Sequence, residues 1–314
     1  MRDMDVLVIG RSCLDMIAVV DQFPREDTKA PLLCRMMEGG GQGGTASCCI
    51  ARLGGKVSYY GHLGTDEAGR FCLKRLKDFG VNTEFVEVIQ KGKTPVAYIF
   101  ITRESGRWTI FYEQNTLPRL RVDRLSRMLA NPARVILLDP EATYLARDIK
   151  ALVEDSARIV YDGERWHQDI PDMMAVADYF IPTFEFLQVQ ELNLTGLPLD
   201  QQMFRLADRI AGELVVTRGG EGAYYVDKDQ LFRVPVPEVE VKDTTGAGDN
   251  FHAAFSMAVV MGYDLSAAVK FSVAVASLSC RAYGGRSGIP DLAEARERAG
   301  LLQERVVSTK KNIL

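Results

Sequence analysis

The chain has 314 residues, of which 47% are hydrophobic and 25% are charged, and its formal net charge is -4 at pH 7. This length allows a large buried core, and the composition is ordinary for a globular protein. The acidic balance and the lack of a basic run argue against a nucleic-acid partner, and no apolar run is long enough to cross a membrane.

The first residues and the cysteines indicate the compartment. Residues 1–5 lead directly into a predicted strand and do not resemble a signal peptide. The six cysteines are scattered and show no spacing typical of zinc ligands. We therefore expect a cytoplasmic protein.

Short apolar runs alternate with helical patterns along most of the chain, and each run ends in Gly, Asp, Pro or Thr. The predicted strands are Val6–Gly10, Lys56–Gly61, Arg134–Asp139, Ile159–Asp162, Tyr179–Pro182 and Leu214–Thr217. Helical patterns such as Phe71–Phe79 and Met203–Ile210 lie between them. This rhythm predicts an α/β fold with a doubly wound, largely parallel sheet, helices on both faces and a site outside the carboxyl ends of the strands.

Two stretches, about residues 16–37 and 94–112, interrupt this rhythm with alternating polar and apolar residues. Residues 103–107 are typical of the turn of a β-hairpin. The two stretches either form a small separate sheet or add edge strands to the main one. We expect all of residues 1–314 to form one domain.

The stretch Asp243–Phe251 (DTTGAGDNF) is the most informative motif. Large apolar residues at 251, 255 and 258 have helical spacing, so the glycine turn opens a helix whose free N–H groups favour an anion. Asp249 lies in the first turn of this helix. It acts either as a simple helix cap or as a base beside a bound phosphate, and only the second role also explains the Gly-Ala-Gly turn.

Residues 243–249 resemble the C-terminal signature of the ribokinase-like (PfkB) carbohydrate kinases, and residues 39–69 resemble the N-terminal signature of that family. The resemblance covers nearly the whole chain. It implies a kinase that transfers the γ-phosphoryl of ATP to a hydroxymethyl group of a carbohydrate. Asp249 would be the general base, and the N–H groups of Gly246, Ala247 and Gly248 would stabilise the transferred phosphoryl group.

The same resemblance assigns the binding residues. An acid after the mid-chain strand would also contact the sugar, and Asp139 and Glu141 both remain candidates. The sugar-binding residues would be Asp15, Gly40, Gly41, Thr45 and this acid. The ATP-binding residues would be Thr217, Gly219, Gly222, Thr245 and Gly246, although residues 217–223 also suit an ordinary hairpin turn.

The cofactors implied are ATP, Mg²⁺ that arrives with ATP, and a monovalent cation such as K⁺. Asp243 is the candidate for the monovalent cation, and Glu185 is the candidate for contacting Mg²⁺ through water. The chain departs from the usual Asn-x-x-Glu pattern here, because Thr183 and Phe186 take the two places. In the family, insertions such as 16–37 and 94–112 form a lid over the sugar, and the lid often forms a homodimer interface.

A second departure concerns the sugar. Thr45 replaces the usual Asn, and its shorter side chain makes fewer contacts, so we expect a substrate other than ribose. The alternatives are a nucleoside or vitamin kinase of the same fold, and a non-catalytic sugar or nucleotide sensor. The three histidines, His62, His167 and His252, show no spacing of a metal site or a triad, and we expect packing or surface roles for them.

Overall fold

The computed structural model describes residues 4–129, 133–154 and 156–310. The predicted domain of residues 1–314 therefore extends past the described residues at both ends, and the stretch 1–3 that we placed before the first strand lies outside them. The described residues form a nine-stranded sheet, a four-stranded sheet and a two-stranded sheet.

The nine-stranded sheet is the centre of the molecule. Its order is β15-β14-β13-β12-β11-β10-β9-β1-β4. The pairs from β12 to β4 are parallel, and β13, β14 and β15 extend the sheet in antiparallel fashion. Its strands are β1 Val6–Ile9, β4 Val57–Tyr60, β9 Val135–Leu138, β10 Arg158–Gly163, β11 Tyr179–Pro182, β12 Glu213–Thr217, β13 Ala223–Asp227, β14 Gln230–Val234 and β15 Arg305–Thr309.

Helices cover both faces of this sheet, as predicted. Successive residues of a strand point to opposite faces, so Leu7 and Ile9 of β1 pack in one apolar cluster and Val6 and Val8 in another. The first cluster contains residues of α3 Val122–Met128, α4 Ala146–Val153, α5 Ile170–Val176 and α6 Leu199–Ala207. The second contains residues of α1 Gln42–Arg52, α2 Glu67–Asp78, α7 Ala247–Val260, α8 Leu265–Ser279 and α9 Leu292–Gly300.

The two stretches that interrupt the βα rhythm form the separate four-stranded sheet. Its strands are β2 Cys13–Val20, β3 Cys34–Gly40, β7 Val96–Thr102 and β8 Trp108–Tyr112, in the order β3-β2-β7-β8. β2 pairs with β3 and β7 with β8 in antiparallel fashion, whereas the central pair β2 and β7 is parallel. The two-stranded sheet joins β5 His62–Gly64 to β6 Glu87–Ile89.

The strand ends locate the candidate site. Asp15 lies on β2, Asp139 follows β9, Thr217 ends β12, and Asp249 lies in the first turn of α7. Carboxyl ends of parallel strands meet at one edge of a sheet, and this is the edge where α/β folds bind ligands.

Candidate active site

The turn before α7 can bind an anion. Gly246 has φ +71, in the left-handed region, and a Cβ on it would lie 2.8 Å from Cα of Gly285, so glycine is required there. The N–H of Ala247 donates to the carbonyl of Thr244 at 3.2 Å, so one of the three predicted donors is already engaged. The N–H groups of Gly246 and Gly248 donate to no described residue. Two backbone donors at a helix N-terminus therefore remain for a phosphate.

Asp249 follows these donors directly. Its pKa is raised to about 8, first by burial and then by the negative charge of Asp162, while His252 opposes the shift. A carboxyl group with a pKa near the working pH can both accept and release a proton. The proton affinity of this side chain therefore suits proton transfer near neutral pH.

Asp15 lies against the glycine loop at the start of the four-stranded sheet. A Cβ on Gly40 would lie 2.1 Å from Oδ2 of Asp15. Gly41 has φ +80, and a Cβ on it would lie 2.7 Å from the carbonyl oxygen of Arg11. The thiol of Cys13 donates to Oδ1 of Asp15 at 3.2 Å. Burial raises the pKa of Asp15 to about 6, against the effect of this hydrogen bond. The glycines let the backbone approach a buried carboxylate closely.

Thr45 links the glycine loop, residues 39–44, to the turn before α7, residues 243–248, which we call the phosphate turn. Its side chain is 2% exposed, and its N–H donates to the carbonyl of Gly41 at 2.8 Å within the first turn of α1. Its Cγ2 would lie 3.3 Å from a Cβ on Gly246 and 3.5 Å from a Cβ on Gly285. The structure thus brings together two motifs that are about two hundred residues apart in the chain.

The carboxylate of Asp139 accepts hydrogen bonds from backbone N–H groups. Its Oδ2 accepts the N–H of Arg11 at 2.6 Å and that of Gly43 at 3.2 Å, and its Oδ1 accepts the N–H of Glu141 at 2.9 Å. Burial raises its pKa to about 6. Glu141 instead lines an open cleft, where Oε1 accepts Nδ2 of Asn115 at 2.9 Å. Of the two acids that the sequence left open, the contacts favour Glu141 for the substrate and Asp139 for holding the loops in place.

The predicted ATP loop is the connection between β12 and β13, which are antiparallel, so it is also a hairpin connection. Gly219 has φ +47, and Gly222 has φ +96 with Cβ space blocked at 2.0 Å by the carbonyl oxygen of Val234. Thr217 forms a parallel bridge with Thr183. The bridge places the altered Asn-x-x-Glu segment next to the predicted ATP loop.

Residues 183–186, the altered Asn-x-x-Glu segment, provide few side chains that could bind a metal ion. Phe186 is fully buried and packs edge-to-face against Phe180 at a ring distance of 5.6 Å, so it fills the core where the usual pattern has a Glu. Glu185 is exposed. Within the described ranges, no group of three His, Cys, Asp or Glu side chains is arranged to hold a metal ion.

Asp243 holds two loops of the site together. Its Oδ1 accepts the N–H of Thr245 at 2.8 Å, and its Oδ2 accepts the N–H of Gly284 at 2.7 Å. The side chain is 1% exposed. The hydroxyl of Thr245 is buried and has no hydrogen-bond partner among the described residues. This hydroxyl is therefore available as a hydrogen-bonding group in the turn before α7.

A family model for pfkB family carbohydrate kinases matches residues 3–292. The chain belongs to this family. It is 26% identical over 308 residues to the deoxyribokinase of Salmonella typhi, an alignment that covers 95% of this chain and 99% of the relative. It is 26% identical over 314 residues to the 5-dehydro-2-deoxygluconokinase of Halalkalibacterium halodurans, with 93% of each chain covered.

The fold of the kinase is also found in solved structures. The structure of Arabidopsis thaliana ribokinase complexed with ribose and ATP matches with a TM-score of 0.77 at 22% identity, covering 94% of this chain and 98% of that one. The kinase is a phosphotransferase that uses ATP and has an alcohol group of a sugar as acceptor. Within the part of the chain that the structure describes, no helix combines the length and the apolar character needed to cross a membrane.

His252 of the kinase, for which the sequence predicts a packing or surface role, is buried near Asp249 and Asp162. Its Nδ1 lies 2.7 Å from the carbonyl oxygen of Gly248, and its Nε2 lies 2.9 Å from that of Ile181 and 3.4 Å from Oδ1 of Asp162. Burial lowers its pKa, while the two carbonyls oppose the shift. The one signal in the sequence was its position three residues after Asp249, which places both side chains on one face of α7.

Arg286 contacts the glycine loop in a way that the sequence did not predict. Its Nη2 donates to the carbonyl of Gly40 at 3.0 Å, and its positive charge lowers the pKa of Asp15. A Cβ on Gly39 would lie 2.5 Å from Nη1, and one on Gly44 would lie 2.7 Å from Nη2. The glycine run therefore also makes room for a buried guanidinium, which a single sequence cannot reveal.

The turn between β7 and β8 contacts the phosphate turn. The carbonyl of Gly106 accepts the N–H of Thr244 at 3.2 Å. The inner face of the four-stranded sheet packs on Tyr283, and Cδ1 of Ile17 would lie 3.2 Å from a Cβ on Gly284. The small sheet therefore touches both loops that Asp243 ties together.

Proposed function

We propose that the kinase transfers the γ-phosphoryl of ATP to a hydroxymethyl group of a sugar held by Asp15, Gly40, Gly41, Thr45 and Glu141. Asp249 takes the proton of the attacking hydroxyl, and the free N–H groups of Gly246 and Gly248 stabilise the transferred group. The observation that carries this proposal is the contact between the two loops, in which the Thr45 methyl would lie 3.3 Å from a Cβ on Gly246. That contact supports placing acceptor and phosphoryl group side by side.

The ATP phosphates lie, in this proposal, along the phosphate turn and the loop between β12 and β13. Thr217, Gly219 and Gly222 form the outer part of the site, and the unpaired hydroxyl of Thr245 donates to a phosphate. Mg²⁺ would arrive with ATP and be held mainly by its phosphates, as is usual where a protein offers no dedicated carboxylate cage. The exposed Glu185 would contact the ion through water.

Asp243 is the residue that we assign to a monovalent cation such as K⁺. Its carboxylate accepts one N–H from each of two loops, at Thr245 and Gly284, so both loops keep a fixed position around it. A cation of this kind is bound mostly by backbone carbonyls, which those loops supply.

The four-stranded sheet serves as the lid over the sugar. Its first strand carries Asp15, and its outer turn contacts the phosphate turn through Gly106 and Thr244. A lid that touches both ends of the site can exclude water during phosphoryl transfer.

The six cysteines are all free, which is typical of a reducing compartment such as the cytoplasm.

The substrate is a sugar other than ribose, since Thr45 cannot make the contacts of an Asn amide. The relatives named for deoxyribose and for 5-dehydro-2-deoxygluconate define the first candidates. ADP release should be measured with these two compounds, ribose, fructose and a set of nucleosides. Turnover of a sugar supports the proposal, turnover of nucleosides alone supports a nucleoside kinase, and binding without turnover supports a sensor.

A further inference from the structure

A cleft opens beside the sugar-binding loop at the carboxyl end of β1. Its polar lining comes from Arg11, Ser12, His62, Asn115, Arg119 and Glu141. The hydroxyl of Ser12 donates to the carbonyl of Gly40 at 3.1 Å, so the cleft is continuous with the loop that we assign to the sugar. The sugar-binding loop and the cleft therefore share a contact at Ser12.

Two arginines in this cleft lack an acidic partner. Arg11 is half-buried, and no described carboxylate lies within 4.0 Å of its guanidinium or of that of Arg119. Arg119 instead stacks on the ring of Tyr144 at 4.8 Å. By contrast, Arg121 and Arg124 of the same segment pair with Asp123 and Glu87 at 2.9 and 3.2 Å. Arg121 and Arg124 thus have acidic partners within 4.0 Å, whereas the two arginines that line the cleft do not.

The cleft contains two guanidinium groups that can bind an anion. Glu141 is the one carboxylate that lines it, and its Oε1 is held by the amide of Asn115. The negative charges of Asp139, Glu141 and Glu164 keep Arg11 charged, since they raise its pKa. Among the side chains that line the cleft, two guanidinium groups therefore stand beside one carboxylate, with Asp139 and Glu164 as further negative charges near Arg11. A guanidinium can bind a carboxylate or a phosphate with two parallel hydrogen bonds.

We propose that Arg11 and Arg119 bind an anionic group of the substrate, remote from the hydroxyl that is phosphorylated. The substrate class is then a sugar acid or a sugar phosphate rather than a neutral sugar. This inference rests on the proposed function of the neighbouring sugar site. It assigns that site its specificity, because a neutral sugar leaves both guanidinium groups without partners.

The test compares kcat/KM for neutral and anionic acceptors. The neutral set is 2-deoxyribose, ribose and fructose; the anionic set is 5-dehydro-2-deoxygluconate, which carries a carboxylate, and fructose 6-phosphate. We expect one anionic compound to exceed every neutral one, mainly through a lower KM, and the better of the two identifies carboxylate or phosphate. In Arg11→Met and in Arg119→Met, the ratio of anionic to neutral kcat/KM should fall by about tenfold or more, the scale of a lost hydrogen bond to a charged group.

Arg121→Met is the matched control, because this arginine lies in the same segment and pairs with Asp123 outside the cleft. The ratio should not change in this variant. Arg11→Lys guards against misfolding of the half-buried position, and melting temperatures of all variants report folding. The inference is wrong if a neutral sugar is the best substrate and if neither arginine variant changes the ratio of anionic to neutral kcat/KM. That outcome leaves the proposed function intact. No turnover of any sugar overturns both.

Discussion

The pKa of the Asp249 carboxyl predicts how the activity of the kinase depends on pH. Its pKa is raised to about 8, chiefly by burial and the charge of Asp162. A base must be deprotonated to act, and a raised pKa keeps this one protonated at lower pH. We therefore expect kcat/KM to rise with pH up to about pH 8 and to level off above it, as the free enzyme loses that proton. A profile that stays flat from about pH 6 to about pH 9 would contradict the assignment.

Replacing this base tests it directly. Asp249→Asn keeps the size of the side chain and removes its ability to take a proton. Turnover should fall by about a hundredfold or more, while ATP binding and the melting temperature change little. Asp123→Asn is a suitable control, since Asp123 is an exposed carboxylate that pairs with Arg121 away from the site. Near-normal turnover of Asp249→Asn on the best substrate would exclude the role of general base.

At the scale of elements, the turn that opens α7 depends on Gly246. In Gly246→Ala the residue would have φ +71, a strain of about 1 kcal/mol, and its Cβ would meet Gly285 at 2.8 Å. The turn must shift, and with it the N–H groups of Gly246 and Gly248 that we assign to the phosphate. We expect turnover to fall by about tenfold or more, since a donor of this kind contributes at least that much.

The variant Gly54→Ala separates the effect of backbone strain from the effect of the contact with Gly285. Gly54 has φ +85, but nothing lies within 4 Å of a Cβ there. This variant should lose a similar amount of stability in denaturant unfolding and keep its turnover. Equal loss of turnover in both variants would mean that general destabilisation, and not the geometry of the phosphate turn, explains the effect.

The lid is the second element with a testable role. If the four-stranded sheet closes over the sugar, bound substrate should protect amides of residues 16–37 and 94–112 from hydrogen exchange. The amide of Thr244 should be protected with them, because it donates to Gly106 in the lid turn. The edge strand β15 serves as the internal reference. Unchanged exchange in both stretches at saturating sugar and ATP analogue would reduce the sheet to a fixed appendage.

At the scale of the whole molecule, the outer face of the lid is apolar and suits a second copy of the chain. Tyr98 and Phe111 on this face are 45% and 57% exposed, and Phe111 packs edge-to-face on Phe100 at 6.1 Å. Large exposed apolar patches often mark protein interfaces. We propose that two chains pair lid to lid.

Sedimentation velocity checks this pairing. The wild type should sediment as a dimer, and Tyr98→Ser with Phe111→Ser should give a monomer that still melts cooperatively. Val306→Ser is the control, because Val306 is 55% exposed on the edge strand β15 and lies outside the lid. A wild type that remains monomeric at about 100 μM, well above typical dimer dissociation constants, would rule out the interface.

The sequence by itself determined the local parts of this protein. Buried strands appear as short apolar runs and α7 as an apolar stripe, because side-chain periodicity is a local property. Glycines at positive φ and the DTTGAGD turn are likewise local, so the phosphate turn and Asp249 were predictable. The antiparallel strand β15 was not predicted, because its pairing with β14 joins residues as far as 79 positions apart, Gln230 and Thr309.

Only the tertiary structure decided which side chains meet. Asp139 and Glu141 are two residues apart and chemically alike, yet the backbone donors of Arg11 and Gly43 occupy the first and leave the second facing the cleft. The position of His252 beside Asp162 and the two unpaired arginines of the cleft have the same origin. Burial, partner choice and pKa depend on contacts between distant segments, and a single sequence does not record those distances.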